Sequence, residues 1–231
     1  MEKVDGEQWH KDFQHFTENC RQGKNVSNEF EEQQVIYSKY AKQYDQLMDC
    51  DAEQYKGYLI IANKMAALFP KDLRVLDFGC GTGLLGESLA KLGFTNVDGA
   101  DANEESCEVA RSKKDIFENV YVSRGTDGLD ENNGLYDIIC SSGTFFLTSS
   151  HPGTECFKPL LKFLKPGGAL MILTKETYLS YDYVDWEAVR SLERFGLIKS
   201  VETDLVPGYR KVFAFEEDRK SMAALLHYQK Q

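Results

Sequence analysis

The chain has 231 residues, 42% of them hydrophobic, and its 27 Lys and Arg against 37 Asp and Glu give a formal net charge of −10. That length suits one α/β domain whose core needs no disulfides, and the acidic balance argues against a reader of nucleic-acid backbone, which needs phosphate-facing Lys and Arg. The cysteines are scattered without a CxxC pair, no uncharged apolar run reaches the ~18 residues of a membrane span, and the polar N-terminus lacks a signal-peptide pattern, so the expected setting is a reducing cytoplasm with no metal site.

Residues 1–30 read as a polar N-terminal arm. Residues 31–70 read as helices: Val35, Ile36, Tyr40, Tyr44 and Leu47 recur near helical spacing, and a second run from Tyr55 to Leu68 stops at Pro70. A core over 71–218 then alternates short strands and helices. Strands are expected at Arg74–Phe78, Asn96–Ala100, Val120–Ser123, Tyr136–Ser141 and Ala169–Thr174. Helices are expected at Leu84–Leu92, Asn103–Lys114, Pro152–Leu164 and Trp186–Phe195. Two more strands, Leu197–Glu202 and Arg210–Glu216, flank Pro207-Gly208 as a hairpin, and 219–231 reads as a C-terminal tail. The rhythm predicts a mostly parallel sheet with helices on both faces and an antiparallel edge.

The sharpest segment runs from Val75 to Gly86: a buried strand, a turn with alternating glycines (Gly79, Gly81, Gly83), then a helix. Glycines there admit positive φ and let a ligand lie against the main chain, while the helix start offers free N–H groups. Gly81, Gly83 and Gly86 also satisfy GxGxxG, which a dinucleotide site would share. Asp77 tilts the choice. A carboxylate at the strand end repels a pyrophosphate and suits a ligand ammonium, such as that of S-adenosylmethionine. Asp101, after the second strand, is placed to accept from ribose hydroxyls and serves either cofactor.

With these motifs the chain resembles the class I S-adenosylmethionine-dependent methyltransferases. Asp77–Gly83 is similar to their first motif, Gly99–Asp101 to their second, Tyr136-Asp137 to the start of their fourth strand and Leu164–Gly168 to the turn before their fifth. The resemblance implies a Rossmann-like seven-stranded, mostly parallel sheet whose last strand is antiparallel. The run Tyr37–Asp45 further resembles the Tyr-Asp-x-Trp-Ala-x-x-Tyr-Asp segment of the methyltransferase-like 27 (Williams–Beuren region) group, with Ser38 in place of Asp and Tyr40 in place of Trp.

What the resemblance implies for S-adenosylmethionine is specific. Asp77 and the turn Gly79, Cys80, Gly81 and Gly83 line the methionyl tail. Asp101 holds the ribose, Ala102 lies beside the adenine, and Gly125, Thr126 and Asp127 approach the adenine edge. Ser141 and Ser142 sit near the reacting methyl, and Tyr37 and Tyr44 cover the cofactor as a lid. Core packing of the two tyrosines and turn duty for the serines compete with these roles.

Methyl transfer from a sulfonium is an in-line displacement that needs alignment and exclusion of water, with a general base only if the acceptor arrives protonated. No Asn-Pro-Pro-Tyr-like run follows the fourth strand and no Pro-Cys pair occurs. Candidates over the active face are His151, Tyr178, Tyr181 and Asp182, with His151 and Tyr178 as the expected catalytic pair. Phe145 and Phe146 would make the pocket partly apolar. The expected acceptor is a small molecule; nucleic acid and membrane are not expected partners, and a protein substrate stays open.

Overall fold

The computed structural model describes residues 8–9, 11–12, 29–49, 55–130, 134–145, 151–180, 185–209 and 222–231. Helices α1 (Glu29–Tyr40), α2 (Tyr44–Asp49) and α3 (Gly57–Leu68) precede a core of β1 (Val75–Phe78), α4 (Leu84–Lys91), β2 (Val97–Asp101), α5 (Glu104–Ser112), β3 (Val120–Val122) and β4 (Tyr136–Ser142). It continues with α6 (Phe157–Leu160), β5 (Leu164–Lys175), α7 (Trp186–Arg194), β6 (Ile198–Pro207) and β7 (Met222–Lys230). The strands form one seven-stranded sheet in the order β3-β2-β1-β4-β5-β7-β6. β1 to β5 pair in parallel, and β7 runs antiparallel to both neighbours.

Burial on both faces explains the continuous apolar strands. Leu76, Phe78, Ile139, Leu170 and Ile172 point into a core shared with Phe157, Leu160 and Val189. Val75, Ile138, Cys140, Met171 and Leu173 point the other way, against Ile61 and Met65 of α3 and Leu85 and Leu89 of α4. The strand entries are fastened by acids. Asp98 is 1% exposed, and accepts from Arg74 Nη2 at 3.0 Å, Tyr136 Oη at 2.9 Å and Asn119 Nδ2 at 2.9 Å, so its buried charge is paired and hydrogen-bonded. Asp137 accepts from the Arg74 backbone N–H at 2.9 Å and from Lys165 Nζ at 2.8 Å, tying β1, β4 and β5 at one end.

The C-terminal reading needs correction. Met222–Lys230, expected as tail, is β7 and inserts between β5 and β6, pairing Leu170 with Tyr228 and Thr203 with Leu226. Its Ala223–Leu226 run is wholly buried, which is why it occupies the sheet interior. β6 extends through Pro207, so Thr203–Pro207 is strand and not hairpin loop. The expected strand at Arg210–Glu216 lies outside the described residues. The long helix expected at Pro152–Leu164 is one α-helical turn, α6, flanked by 3-10 turns.

Candidate functional site

A cavity of about 410 Å³ lies over the C-terminal ends of β1, β2 and β4. Its floor is the glycine turn. The backbone N–H groups of Gly79 and Cys80 both donate to Ala100 O, at 2.7 and 3.0 Å, which folds the turn back over β2. Gly79 has φ +76°, and a Cβ there would lie 1.9 Å from Thr144 Oγ1, so the position demands glycine twice over. Asp101 then accepts from the Gly81 N–H at 2.8 Å and the Asn103 N–H at 2.9 Å, one donor to each oxygen. Burial raises its pKa, against the pull of the Asn103, Gly81 and Ala102 amides. A carboxylate has room for further donors beyond these amides.

Asp77 is placed differently from the expectation. It is 1% exposed and does not line the cavity, whose wall here is Phe78 and Gly79. Strand alternation turns its side chain to the α4 side, where the Gly86 amide is its hydrogen-bond donor and Oδ2 has no partner among the described residues. Burial, with the neighbouring Asp101, pushes its pKa up to about 8.

The wall and roof come from the N-terminal helices. Tyr37 and Tyr44 line the cavity with ring centroids 6.2 Å apart. Helix α1 is fastened to the rest of the domain by Asn103, whose Nδ2 donates to Gln34 Oε1 at 3.1 Å and Ser38 Oγ at 2.9 Å while its Oδ1 caps α5 through Ser106 N. The Ser38 hydroxyl donates in turn to Glu105 at 2.7 Å. The 3-10 turn after α1 leads into α2, where Asp45 accepts from Thr82 of the glycine turn and from Lys113. His151 lines the cavity within hydrogen-bond distance of Gln33 Nε2 (2.8 Å to Nδ1) and near Tyr37 Oη (3.3 Å to Nε2). Burial pushes its pKa down to about 4, so it is neutral at pH 7 and is tied to the lid helix.

Of the residues singled out in the sequence, the cavity gathers Tyr37, Tyr44, Gly79, Gly81, Asp101, Ala102, Gly125, Asp127, Ser142 and His151. Others stand off its wall. Cys80 turns its thiol toward Gly99, Gly83 is the N-cap of α4, and Thr126 is half-buried in the loop beyond β3. Ser141 is 1% exposed and faces the opposite side of β4 from Ser142. Tyr178 is a correction: it is 3% exposed, belongs to the core beneath α7, and packs edge-on against Trp186 at 5.7 Å, which leaves it no access to a reacting atom. Tyr181, Asp182 and Phe146 lie outside the described residues, and Phe145 is buried in the core. Sequence reasoning missed Phe30, Gln33 and Arg124, whose guanidinium lies 3.8 Å from the centre of the Phe30 ring at the cavity's edge.

The geometry fits a nucleoside bearing an amino-acid tail. Gly81 (φ +52°) and Gly125 (φ +61°) both line the cavity, and a Cβ on either would meet no atom within 4 Å, so each keeps bare backbone on open space. Among the described residues the charged lining is Asp101, Asp127 and Glu155 against Arg124, an excess of negative charge that suits a cation and repels a diphosphate. Residues 75–168 match the family described as "Methyltransferase domain". This segment is a class I S-adenosylmethionine-dependent methyltransferase domain.

Relatives of the methyltransferase domain agree. The chain is 29% identical over 141 residues to YqeM of Bacillus subtilis, a protein named as a methyltransferase, covering 59% of this chain and 54% of that one. It is 42% identical over 117 residues to the ubiquinone biosynthesis O-methyltransferase of Vibrio parahaemolyticus, covering 49% and 48%. The chain thus spans about half the length of these curated relatives. Its fold is similar to that of a TehB-like SAM-dependent methyltransferase from Corynebacterium glutamicum, with a TM-score of 0.58 at 20% identity over 85% of this chain and 99% of that one. The cofactor of the methyltransferase domain is S-adenosylmethionine. Among the described residues no cluster of side chains could hold a metal ion, and no helix is long and apolar enough to cross a membrane.

Proposed function

We propose that the protein transfers the methyl group of S-adenosylmethionine to a small or medium-sized molecule in the cytoplasm, chiefly by holding the two reactants in line. One observation carries this reading: a single cavity is lined by Asp101 and Asp127, by Ser142 and Gly143 at the end of β4, and by His151, with Tyr37 and Tyr44 in its wall. Its volume lies within the roughly 300–1,000 Å³ of small-molecule sites. Asp101 would orient the ribose, Asp127 the adenine edge, and the Gly79–Gly81 backbone the tail. The cofactor supplies an electrophilic methyl on a positive sulfur. Tyr37 and Tyr44 keep water from the cavity, and alignment of this kind is worth on the order of 7–11 kcal/mol at most.

Neither expected catalytic residue supplies a strong base: burial pushes the His151 pKa down to about 4, which makes its imidazole a weak proton acceptor, and Tyr178 is buried in the core. This supports an acceptor whose lone pair is already free, and equally a protein that binds the cofactor without transferring its methyl. The relation to the methyltransferase-like 27 group rests on the Tyr37–Asp45 run, in which Tyr37, Tyr44 and Asp45 all serve the lid. The test is calorimetric titration with S-adenosylmethionine, S-adenosylhomocysteine and NADH, followed by incubation of methyl-labelled cofactor with a metabolite extract. Binding of the first two and label in small molecules is the expected result. Binding of NADH alone overturns the cofactor reading, and binding without any labelled product favours the silent protein.

A further inference from the structure

Trp9 lies in the stretch that reads as a polar arm, yet it is 2% exposed. Its ring meets Tyr40 at 5.1 Å and Tyr44 at 5.8 Å, both edge-on, and Tyr37 at 6.3 Å with a 48° tilt. Tyr37 and Tyr44 are the tyrosines of the cavity roof, whereas Trp9 touches them from behind and does not line the cavity. A few residues on, Asp12 accepts from Lys39 Nζ at 2.6 Å and Tyr40 Oη at 2.7 Å, fixing the same segment to the end of α1.

Helix α1 has little apolar surface of its own to fasten it. Its buried residues are Glu29, Gln33 and Tyr40, and Val35 is 69% exposed. Its ties to the rest of the domain through Asn103, Glu105 and His151 are polar and exchange for water at little net gain. The apolar burial that holds the lid is a separate small core of Trp9, Tyr40, Leu47 and Met48, with Tyr37 and Tyr44 packed against it. Trp9 is the largest side chain in it.

We propose that Trp9 is a positioning residue for the cofactor site: by packing behind Tyr37 and Tyr44 it sets the cavity roof, so that docking of this segment and filling of the cavity are coupled. This rests on reading the cavity as the S-adenosylmethionine site. The coupling is reciprocal: what the docked segment adds to cofactor affinity, the bound cofactor adds to docking.

The experiment uses the full chain and S-adenosylhomocysteine as the probe. Trp9→Ala is expected to weaken binding by between about 5- and 150-fold, the usual range of coupling between sites, and Trp9→Phe to restore most of it. Trp9 and Trp186 are the only tryptophans, so in Trp186→Phe the fluorescence reports Trp9 alone. Saturating S-adenosylhomocysteine should then protect Trp9 from acrylamide quenching. Trp9→Ala binding within about twofold of wild type, or quenching of Trp9 unchanged by ligand, overturns the proposal. The quenching arm decides the matter even where Trp9→Ala fails to fold. If wild type binds and Asp101→Ala does not, a null result with Trp9 strikes only this inference; if wild type itself does not bind, the cofactor reading is what fails.

Discussion

Asp101 and Tyr37 face the same cavity, yet they are held there by unlike means. Asp101 ends a strand buried in the sheet, and backbone amides from two turns fix its oxygens. Tyr37 rides on a helix that reaches the rest of the domain through side-chain hydrogen bonds and a small aromatic core. The floor is therefore set by main-chain geometry, and the lid by contacts that can be made and lost. Elements of low local stability are where binding-site closure is generally found, and the difference predicts a steep, all-or-none response to changes in the floor and a graded one in the lid.

The largest effect belongs to Asp101→Ala. It removes a charged partner of two backbone N–H groups as well as the ribose acceptor, and hydrogen bonds to charged groups are worth about 1.5–3 kcal/mol each. Cofactor affinity by calorimetry should fall by at least about a hundredfold, with loss of fold stability in the same variant. Gly79→Ala comes next. An alanine at φ +76° with its Cβ on Thr144 has to distort the turn, at about 1–2 kcal/mol for the backbone alone. A tenfold or greater loss of affinity is the expected outcome, and an unchanged titration would mean that the turn does not hold the ligand.

The lid should answer by degrees. Tyr37→Phe keeps the ring and forfeits only the hydroxyl near His151, so affinity should change by no more than about threefold, in keeping with one neutral hydrogen bond. Tyr37→Ala removes the ring and should cost about tenfold, the scale of an aromatic contact plus its burial. Equal, very large losses for both variants would erase the distinction between floor and lid.

The same distinction explains what could be read in the chain beforehand. Gly79, Gly81 and Asp101 stand out because backbone geometry restricts which residues fit, so chemistry and spacing coincide. The helical spacing of Tyr37 and Tyr44 put them on one face without saying what that face covers. Ser141 and Ser142 are adjacent, and only the register of β4 with β5 decides that Ser142 meets the cavity. Tyr178 sits in an aromatic stretch whose burial under α7 depends on non-local packing. β7 pairs not only with β6, the strand before it, but also with β5, which lies beyond β6 and α7 in sequence, and no turn signal stands next to Met222. Trp9 is one aromatic in a polar stretch, and no periodicity marks it.

The smallest effect on affinity, and the most telling about charge, lies at Asp77. Its carboxyl is buried one layer below the floor with Oδ2 unpartnered among the described residues, and holds its proton up to about pH 8 when the usual value is 3.8. Between those values the folded chain binds a proton that the unfolded chain has lost, so this group makes the ligand-free protein less stable as pH rises from about 4 to 8, after which the penalty is constant. Asp77→Asn removes that slope: thermal unfolding of wild type and variant should diverge progressively across this window. A cation settling above the turn would favour the ionised form, so S-adenosylmethionine binding to wild type should release protons below pH 8, seen as a buffer-dependent heat in calorimetry, and Asp77→Asn should release fewer. At pH 6, where the wild-type acid is already neutral, the two should bind with affinities within about threefold of each other. Superimposable pH profiles would place the carboxylate out of electrical reach of the cavity and leave Asp101 and Asp127 as the acids that select a positive ligand.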